Sequence, residues 1–292
     1  MGKPIWPELP DAEHERFLSD LYGSLCQHFV CLAVRLEALD DAGTPTDETK
    51  QYFISGFVII INETWCLITA GHIVKDLGAK LASKEYGLFN SFLIYHLGHH
   101  VTNGKLMQFD YGSAPTYFID ASDLGLDYAV IVLSDMDTLK LRENNIIPVS
   151  MDYWTSVQFS SYWMLGLPIE VSDSLNQARA SDERDRRLGA VILSVAAITD
   201  ESQVPFMFLR HNPKFTSFFG EITADIAFGI NGMSGGPIFG VVVDPNGILR
   251  YTVVAIQNAA ISGPTEPSKT SIKIAGCPMS IVADHIRNIL KL

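Results

Sequence analysis

The sequence predicts an all-β fold of antiparallel strands, with a helical segment near each end of the chain. Short runs rich in Val, Ile, Phe and Tyr are separated by Gly, Asn, Asp and Pro, which is typical of strands joined by turns. Helical patterns do not alternate with these runs, and this favours an antiparallel barrel over a parallel α/β sheet. The runs cover residues 56–61, 65–69, 92–95, 128–133, 162–165, 190–195, 238–243 and 251–256.

The two ends of the chain carry helical patterns. Apolar residues at steps of three and four predict an amphipathic helix that gives way to a first strand at residues 31–37, followed by a polar turn at 40–45. Ser280 is a candidate N-cap for a C-terminal helix. The apolar positions are Phe17, Leu18, Leu21, Leu25, Phe29 and Leu32 in the first segment, and Ile281, Val282, Ile286, Ile289 and Leu290 in the last.

Composition excludes several classes of function. The chain has 292 residues, of which 47% are hydrophobic and 18% charged, as in a globular protein with a sizeable core. A formal net charge of −12 argues against a general nucleic-acid binder, which needs clustered Lys and Arg. The strongest apolar run, residues 57–61, has the length of a strand and not of a bilayer span, so no membrane association is expected.

The cysteines and histidines do not suggest a metal site. The four cysteines, Cys26, Cys31, Cys66 and Cys277, lack metal-ligand spacing, and free buried thiols are what a cytoplasmic protein would carry. Residues 1–15 have no basic segment followed by an apolar one, so no secretory signal is predicted. His96, His99 and His100 lie in a polar stretch, where exposed histidines that bind no metal are the common case.

The most informative motif is Gly-Met-Ser-Gly-Gly-Pro at residues 232–237. Glycine permits a sharp bend and a close approach to backbone N–H groups, and a serine held there can attack a carbonyl. The motif also fits the Gly-x-Ser-x-Gly nucleophile elbow of α/β-hydrolases, which requires a helix after the serine and a histidine downstream. Here a strand pattern follows at 238–243, and the only later histidine is His285 in the C-terminal helix. The elbow is therefore disfavoured.

Two motifs upstream supply the partners that such a serine needs. His72 follows the apolar run 65–69, and an imidazole titrates near neutral pH, which suits proton transfer. Asp127 directly precedes the run 128–133, with Asp123 as the local competitor. Each residue alone has an ordinary structural interpretation as a strand-end or turn residue. The order His, Asp, Ser along the chain matches the order in chymotrypsin-type triads.

The three motifs together resemble those of trypsin-like, chymotrypsin-fold serine peptidases of the compact bacterial kind, and Gly166-Leu167-Pro168 resembles a Gly-x-Pro turn often found between them. The resemblance implies two antiparallel six-stranded β-barrels. Residues 1–45 would form an N-terminal helical extension. Residues 46–150 would form the first barrel, with His72 and Asp127, and residues 151–292 the second, with Ser234 and the C-terminal helix.

The resemblance also implies an activity and its residues. The chain would be a serine endopeptidase acting on a protein or peptide substrate through an acyl-enzyme, without a cofactor. Ser234 would be the nucleophile, His72 the general base and acid, and Asp127 the acid that orients His72. The N–H groups of Gly232 and Ser234 would form the oxyanion hole. The residues expected to contact substrate are Phe228, Ile256, Gln257 and Asn258.

Met233 departs from the pattern of many secreted relatives, which carry an acid there that pairs with a new N-terminal amine after cleavage. Methionine cannot form that ion pair, so we expect the oxyanion loop to be ordered without proteolytic activation. Two other functions remain open at this stage. One is a non-catalytic peptide-binding module of the same fold. The other is an effector protease in a multi-protein assembly, docked to a regulatory partner through residues 1–45.

Overall fold

The structure is a computed structural model, and it describes residues 11–97, 105–121, 124–150, 159, 161–169, 188–205, 208, 217–223, 229–244, 248–263 and 271–290. Most of these residues lie in strands that form one large sheet and one closed barrel. The prediction of a mainly β protein is confirmed. No helix in these ranges is both long and apolar enough to cross a membrane.

The first half of the chain forms an eight-stranded sheet, and a helix of 16 residues precedes it. The elements are α1 (Asp11–Cys26), β1 (Phe29–Leu39), β2 (Pro45–Ile61), β3 (Thr64–Thr69), α2 (Gly71–Ala82), β4 (Tyr86–Tyr95), β5 (Lys105–Gln108), β6 (Thr116–Ala121), β7 (Leu126–Val132), α3 (Asp135–Glu143) and β8 (Val149–Ser150). The strand order is β5-β4-β1-β2-β3-β7-β6, and β8 pairs with β2. The six-stranded barrel predicted for this half is not confirmed, because the described β5 and β6 lie at opposite ends of the sheet.

The second half contains the closed barrel. Its elements are β9 (Ser161–Gly166), β10 (Val191–Ala197), a 3₁₀ turn (Glu201–Gln203), β11 (Phe218–Thr223), β12 (Pro237–Val243), β13 (Leu249–Gly263), β14 (Ser271–Pro278) and α4 (Met279–Leu290). The barrel closes in the order β10-β11-β14-β13-β12-β9, so it has the six strands that were predicted.

Side chains that point alternately to the two faces of a strand contribute to two hydrophobic cores, one on each side of the sheet. On β1, Phe29, Cys31 and Ala33 face a core shared with Phe239 and Ile256 of the barrel. The intervening β1 residues, Val30, Leu32 and Val34, face a second core within the first half. Successive strand side chains point to opposite faces, so β1 supplies both. The two halves are therefore held together by a continuous apolar contact.

Helix α1 also joins the two halves. The hydroxyl of Tyr22 lies 3.1 Å from the carbonyl oxygen of Leu97 in the first half and 3.0 Å from that of Ala190 in the second. A single hydroxyl proton donates to one of them at a time. The predicted helix followed by a first strand is present, and that strand lies between β2 and β4, inside the sheet.

The four cysteines are free thiols, and Cys31, Cys66 and Cys277 are buried. Burial raises the pKa of all four to about 12. At neutral pH they are therefore protonated and weakly nucleophilic. The three buried cysteines act as small apolar side chains in the core.

His28 is a buried titratable group at the junction of the two halves. Its Nδ1 lies 2.6 Å from the carbonyl oxygen of Ile147, and its Nε2 lies 3.0 Å from the hydroxyl of Tyr251 on β13. The side chain is only 4% exposed. Burial lowers the pKa of His28 from 6.5 to about 4, although its hydrogen bond to Ile147 opposes the shift. The native state thus binds fewer protons than the unfolded chain between these two pH values.

We expect His28 to make the protein less stable as the pH falls from about 6.5 to about 4. The shift corresponds to a loss of roughly 3 kcal/mol in the free energy of unfolding over that range. Urea unfolding at several pH values checks this, with His28→Gln as the comparison because glutamine does not titrate. The pH dependence of His28→Gln should be weaker by that amount, and equal slopes in the two proteins would contradict the assignment.

Candidate active site

His72 lies at the start of helix α2 and not in the strand-end turn that was expected. Strand β3 ends at Thr69, Ala70 has extended backbone angles at the N-cap, and His72 is the second residue of the helix. The side chain of His72 is 37% exposed, so the ring lies at the surface of the fold. The helix start turns the chain sharply after β3 and brings the imidazole beside β7.

Asp127 is held against His72 by the pairing of β3 with β7. Thr69 pairs with Ala129 in an antiparallel ladder, so the end of β3 lies beside the beginning of β7. Asp127 Oδ2 lies 2.6 Å from His72 Nδ1, and Asp127 Oδ1 accepts the backbone N–H of His72 at 2.8 Å. Both carboxylate oxygens are therefore engaged by one residue, and this fixes the ring as well as the backbone that carries it.

This arrangement determines which nitrogen of His72 faces outward as a base. A carboxylate only accepts hydrogen bonds, so Nδ1 must donate, and in the neutral ring Nε2 keeps the lone pair. The hydrogen bond with Asp127 raises the pKa of His72 above its ordinary value of 6.5, and partial burial of the ring opposes this shift. Asp127 is only 2% exposed, so little water competes for its oxygens.

Residues 231–236 form the turn that carries Ser234, here called the serine loop. Met233 N–H donates to Ile230 O at 3.1 Å, and Gly236 N–H donates to Met233 O at 2.9 Å. The side chain of Met233 is fully buried in the interior of the barrel. Met233 therefore anchors the serine loop through an apolar side chain, at the position where many secreted members of the resembled family carry an acid.

Gly235 brings the serine loop against the first half of the chain. Its φ of +89° suits glycine, and a Cβ there would collide with Thr69 Oγ1 and lie 2.5 Å from Ser55 O and 2.8 Å from Ala70 N. Ala70 is two residues before His72, so the close backbone contact brings Ser234 into the neighbourhood of the imidazole. Within the described residues, no hydrogen bond joins the Ser234 hydroxyl to His72. In enzymes without substrate such bonds are often long and tighten on binding.

The two N–H groups predicted to form an oxyanion hole are unengaged in the described part of the chain. Neither Gly232 N–H nor Ser234 N–H donates a hydrogen bond to a described residue. Gly232 has a φ of +90°, and a Cβ there would lie 2.7 Å from Leu167 O. A larger residue cannot occupy this position without moving the backbone.

The four predicted substrate contacts have different surroundings. Phe228 lies outside the described residues, as does Asp123, the competitor of Asp127. The side chain of Ile256 is fully buried in the core between the halves. Gln257 exchanges backbone hydrogen bonds with the serine loop: its N–H donates to Gly236 O at 2.9 Å, and its carbonyl accepts Gly235 N–H at 2.8 Å.

Residues 257 and 258 each carry a buried polar atom that no described residue hydrogen-bonds. Gln257 Oε1 and Asn258 Oδ1 are buried and accept no hydrogen bond from a described residue. Both lie where the β13–β14 register shifts, next to the backbone that contacts the serine loop. They remain predicted substrate contacts.

Of the three histidines considered for a metal site, only His96 is described. Its Nε2 lies 2.6 Å from the carbonyl oxygen of Asn144. His99 and His100 lie outside the described residues. Among the described residues, no group of three or more metal-ligating side chains occurs.

Sequence reasoning missed one residue that contacts the serine loop and one contact made by the neighbour of Asp127. Ser55 hydrogen-bonds the serine loop, and its signal was a serine inside the apolar run of residues 53–61. His285 of α4 lies 2.6 Å from the hydroxyl of Tyr128, the neighbour of Asp127, and no local pattern marks that contact. Both join residues that are far apart in the chain.

The sequence matches no protein-family model and no curated protein. Similar solved structures include protease Anisep from Arthrobacter nicotinovorans, 14% identical, with 86% of this chain and 90% of that chain covered and a TM-score of 0.43. They also include an inactivated protease paralogue, S-D1, from the scabies mite, 13% identical, with coverages of 89% and 91% and a TM-score of 0.46. A third is a mutant of human heparin binding protein, 13% identical, with coverages of 89% and 90% and a TM-score of 0.38. Because the identities and TM-scores are this low, the function has to be inferred from the geometry of this chain alone.

Proposed function

We propose that this protein is a serine endopeptidase that hydrolyses peptide bonds through an acyl-enzyme. The observation that carries the proposal is the double hydrogen bond between His72 and buried Asp127, beside a glycine-rich loop that carries Ser234. An ordinary structural histidine does not need both its backbone and its ring held by one carboxylate. A general base does, because its free nitrogen must point in one direction.

In the proposed reaction, Ser234 Oγ attacks the carbonyl carbon of the scissile peptide while His72 Nε2 takes the hydroxyl proton. The N–H groups of Gly232 and Ser234 donate to the oxyanion that forms. The C–N bond then breaks, and the proton on His72 passes to the leaving amine. Water attacks the resulting ester, giving its proton to His72, and the carboxylic acid leaves as the proton returns to Ser234. Asp127 holds the ring throughout and stabilises the imidazolium.

If residues 1–45 dock to a regulatory partner, the surface available for the contact is smaller than the sequence suggested. Because β1 lies inside the sheet, the surface left for a regulatory partner within the described part of that segment is the exposed turn at residues 40–45 and the outward face of α1. Exposed polar residues occupy that face, including Arg16 and Asp20. We keep the partner as part of the proposal, with α1 as its contact.

The activity should rise with pH through the pKa of His72. The base acts only when Nε2 is unprotonated, and Asp127 raises the pKa of His72 above 6.5. Activity is therefore lost as the pH falls through a value above 6.5, and not below it. The measurement is kcat/KM against pH, and a profile whose acid limb lies below pH 6 would contradict His72 as the base.

The proposal is tested by an active-site probe that does not depend on substrate sequence. A fluorophosphonate should label the folded protein, and mass spectrometry should place the adduct on Ser234. Peptides recovered from a digested proteome mixture should carry new N-termini at internal positions. Folded protein that takes up no probe would overturn the proposal and favour a peptide-binding module.

A further inference from the structure

Ser55 is a buried polar residue in the middle of an apolar strand. It lies on β2 and is fully buried. Its hydroxyl donates to the carbonyl oxygen of Gly232 at 2.9 Å and accepts the backbone N–H of Leu167 at 3.0 Å. One side chain of the first half therefore binds two backbone segments of the second half.

The backbone of Ser55 reinforces the same contact. Its carbonyl oxygen accepts the Thr69 hydroxyl at 2.7 Å, and Gly235 packs directly against that oxygen. The segment after Leu167 is also tied to the serine loop, since Ile169 N–H donates to Asn231 O at 2.8 Å. The end of β3, the segment after β9 and the serine loop thus meet at Ser55.

The hydrogen bond to Gly232 determines the orientation of one peptide plane. The Gly232–Met233 peptide has its carbonyl held by Ser55 and its N–H held by Ile230 O at 3.1 Å. Glycine populates both signs of φ almost equally, so a peptide beside glycine rotates easily when one side is released. The N–H of Gly232 belongs to the preceding peptide, whose carbonyl, Asn231 O, accepts Ile169 N–H at 2.8 Å. With the peptide planes on both sides of its Cα held, the backbone angles of Gly232 and the direction of its N–H are fixed.

We propose that Ser55 is a positioning residue that holds the serine loop in the form that can bind an oxyanion. This inference rests on the proposed peptidase function. Met233 cannot make the ion pair that orders this loop elsewhere, and its burial anchors only the side chain. Ser55 adds a side-chain hydrogen bond to the Gly232 carbonyl, and it does so from the other half of the molecule. This restraint on Gly232 therefore exists only when the two halves are docked.

Ser91 offers a matched control. It is 3% exposed, its hydroxyl donates to Phe109 O at 2.6 Å, and it accepts Tyr111 N–H at 3.1 Å. It therefore makes the same pair of backbone hydrogen bonds, on β4. Ser55→Ala and Ser91→Ala remove the same chemistry from buried sites, and only the first touches the serine loop.

The test compares fluorophosphonate labelling of the wild type, Ser55→Ala and Ser91→Ala. We expect Ser55→Ala to lower the inactivation rate constant by about tenfold to hundredfold, less than loss of an oxyanion donor itself. The half-saturating probe concentration should change little, and the pH profile should keep its midpoint because the His72–Asp127 pair is untouched. Ser91→Ala should label like the wild type. Equal labelling of all three proteins would overturn the inference and leave the peptidase function standing.

A second measurement separates the inference from the activity. Amide hydrogen exchange across residues 231–236 should be faster in Ser55→Ala than in Ser91→Ala. If the wild type takes up no probe, the peptidase proposal fails, and with it the role of Ser55 in catalysis. Unchanged exchange would overturn the restraint itself. If Ser55→Ala does not fold, Ser55→Cys, which keeps a weaker donor at similar volume, should show the same changes to a smaller extent.

Discussion

Ser234→Ala is expected to lower kcat by about 10⁶-fold, with thermal stability unchanged within a few degrees. This expected decrease in kcat follows because the nucleophile acts together with its base, and removing such a nucleophile typically lowers kcat by about 10⁶-fold. Stability should persist because the Ser234 side chain makes no hydrogen bond with a described residue, while Met233 and the backbone anchor the loop. The measurement is turnover of a peptide identified from its cleavage site, with Ser91→Ala as the control for serine removal.

A double substitution shows whether His72 and Ser234 act together in one step or contribute independently to kcat. His72→Ala combined with Ser234→Ala should be little worse than either change alone, because the base has nothing to activate once the hydroxyl is gone. Multiplied losses would mean that His72 contributes through another group. Retained turnover in Ser234→Ala would remove this serine from the mechanism.

The sequence predicted those parts of the fold that local patterns encode. The run 128–133 corresponds to β7, and the run 238–243 corresponds to β12. Helix α2 was not predicted, because the apolar run of residues 65–69 gives no sign of the helix that follows it. Its buried positions, Val74 and Leu77, are three residues apart, a helical spacing too short to stand out in a β-rich sequence.

Closure of the first sheet depends on contacts that no local pattern specifies. A strand pattern does not reveal its partner, and β5 has only four residues with which to pair. In the described residues β5 pairs with β4, while β6 pairs with β7. The expected six-stranded barrel came from the family resemblance and not from these residues, and the structure gives an eight-stranded sheet there.

In the candidate site too, the motifs predicted some contacts, and others arise only from the packing of distant segments. The motif order indicated that His72 and Asp127 would meet, and they do. The second carboxylate oxygen, which holds the His72 backbone, follows from the helix start at Gly71 and was not predicted. The link from Ser55 to Leu167 and Gly232 crosses 112 and 177 residues, so only the docking of the two halves brings these groups together.

Asp127→Asn should lower kcat by about 10⁴-fold while the protein stays folded. An asparagine can still accept the backbone N–H of His72 through its oxygen, so the local turn is preserved. Its amide nitrogen, however, donates a hydrogen bond to Nδ1 and so favours the tautomer that carries the proton on Nε2. In that tautomer Nε2 cannot accept the proton of Ser234. The acid limb of the pH profile should also shift down, because Asp127 is the main cause of the raised pKa of His72.

Asp120→Asn is the charge-matched control. Asp120 pairs with Asp127 across β6 and β7, and its charge also raises the pKa of His72. Its carboxylate is bound to the exposed Lys75 at 2.7 Å and makes no hydrogen bond with the imidazole. Removing a partly solvated charge should change kcat by only about twofold. Losses of similar size in the two variants would mean that negative charge near His72 matters and hydrogen-bond geometry does not, and the role assigned to Asp127 would then be wrong.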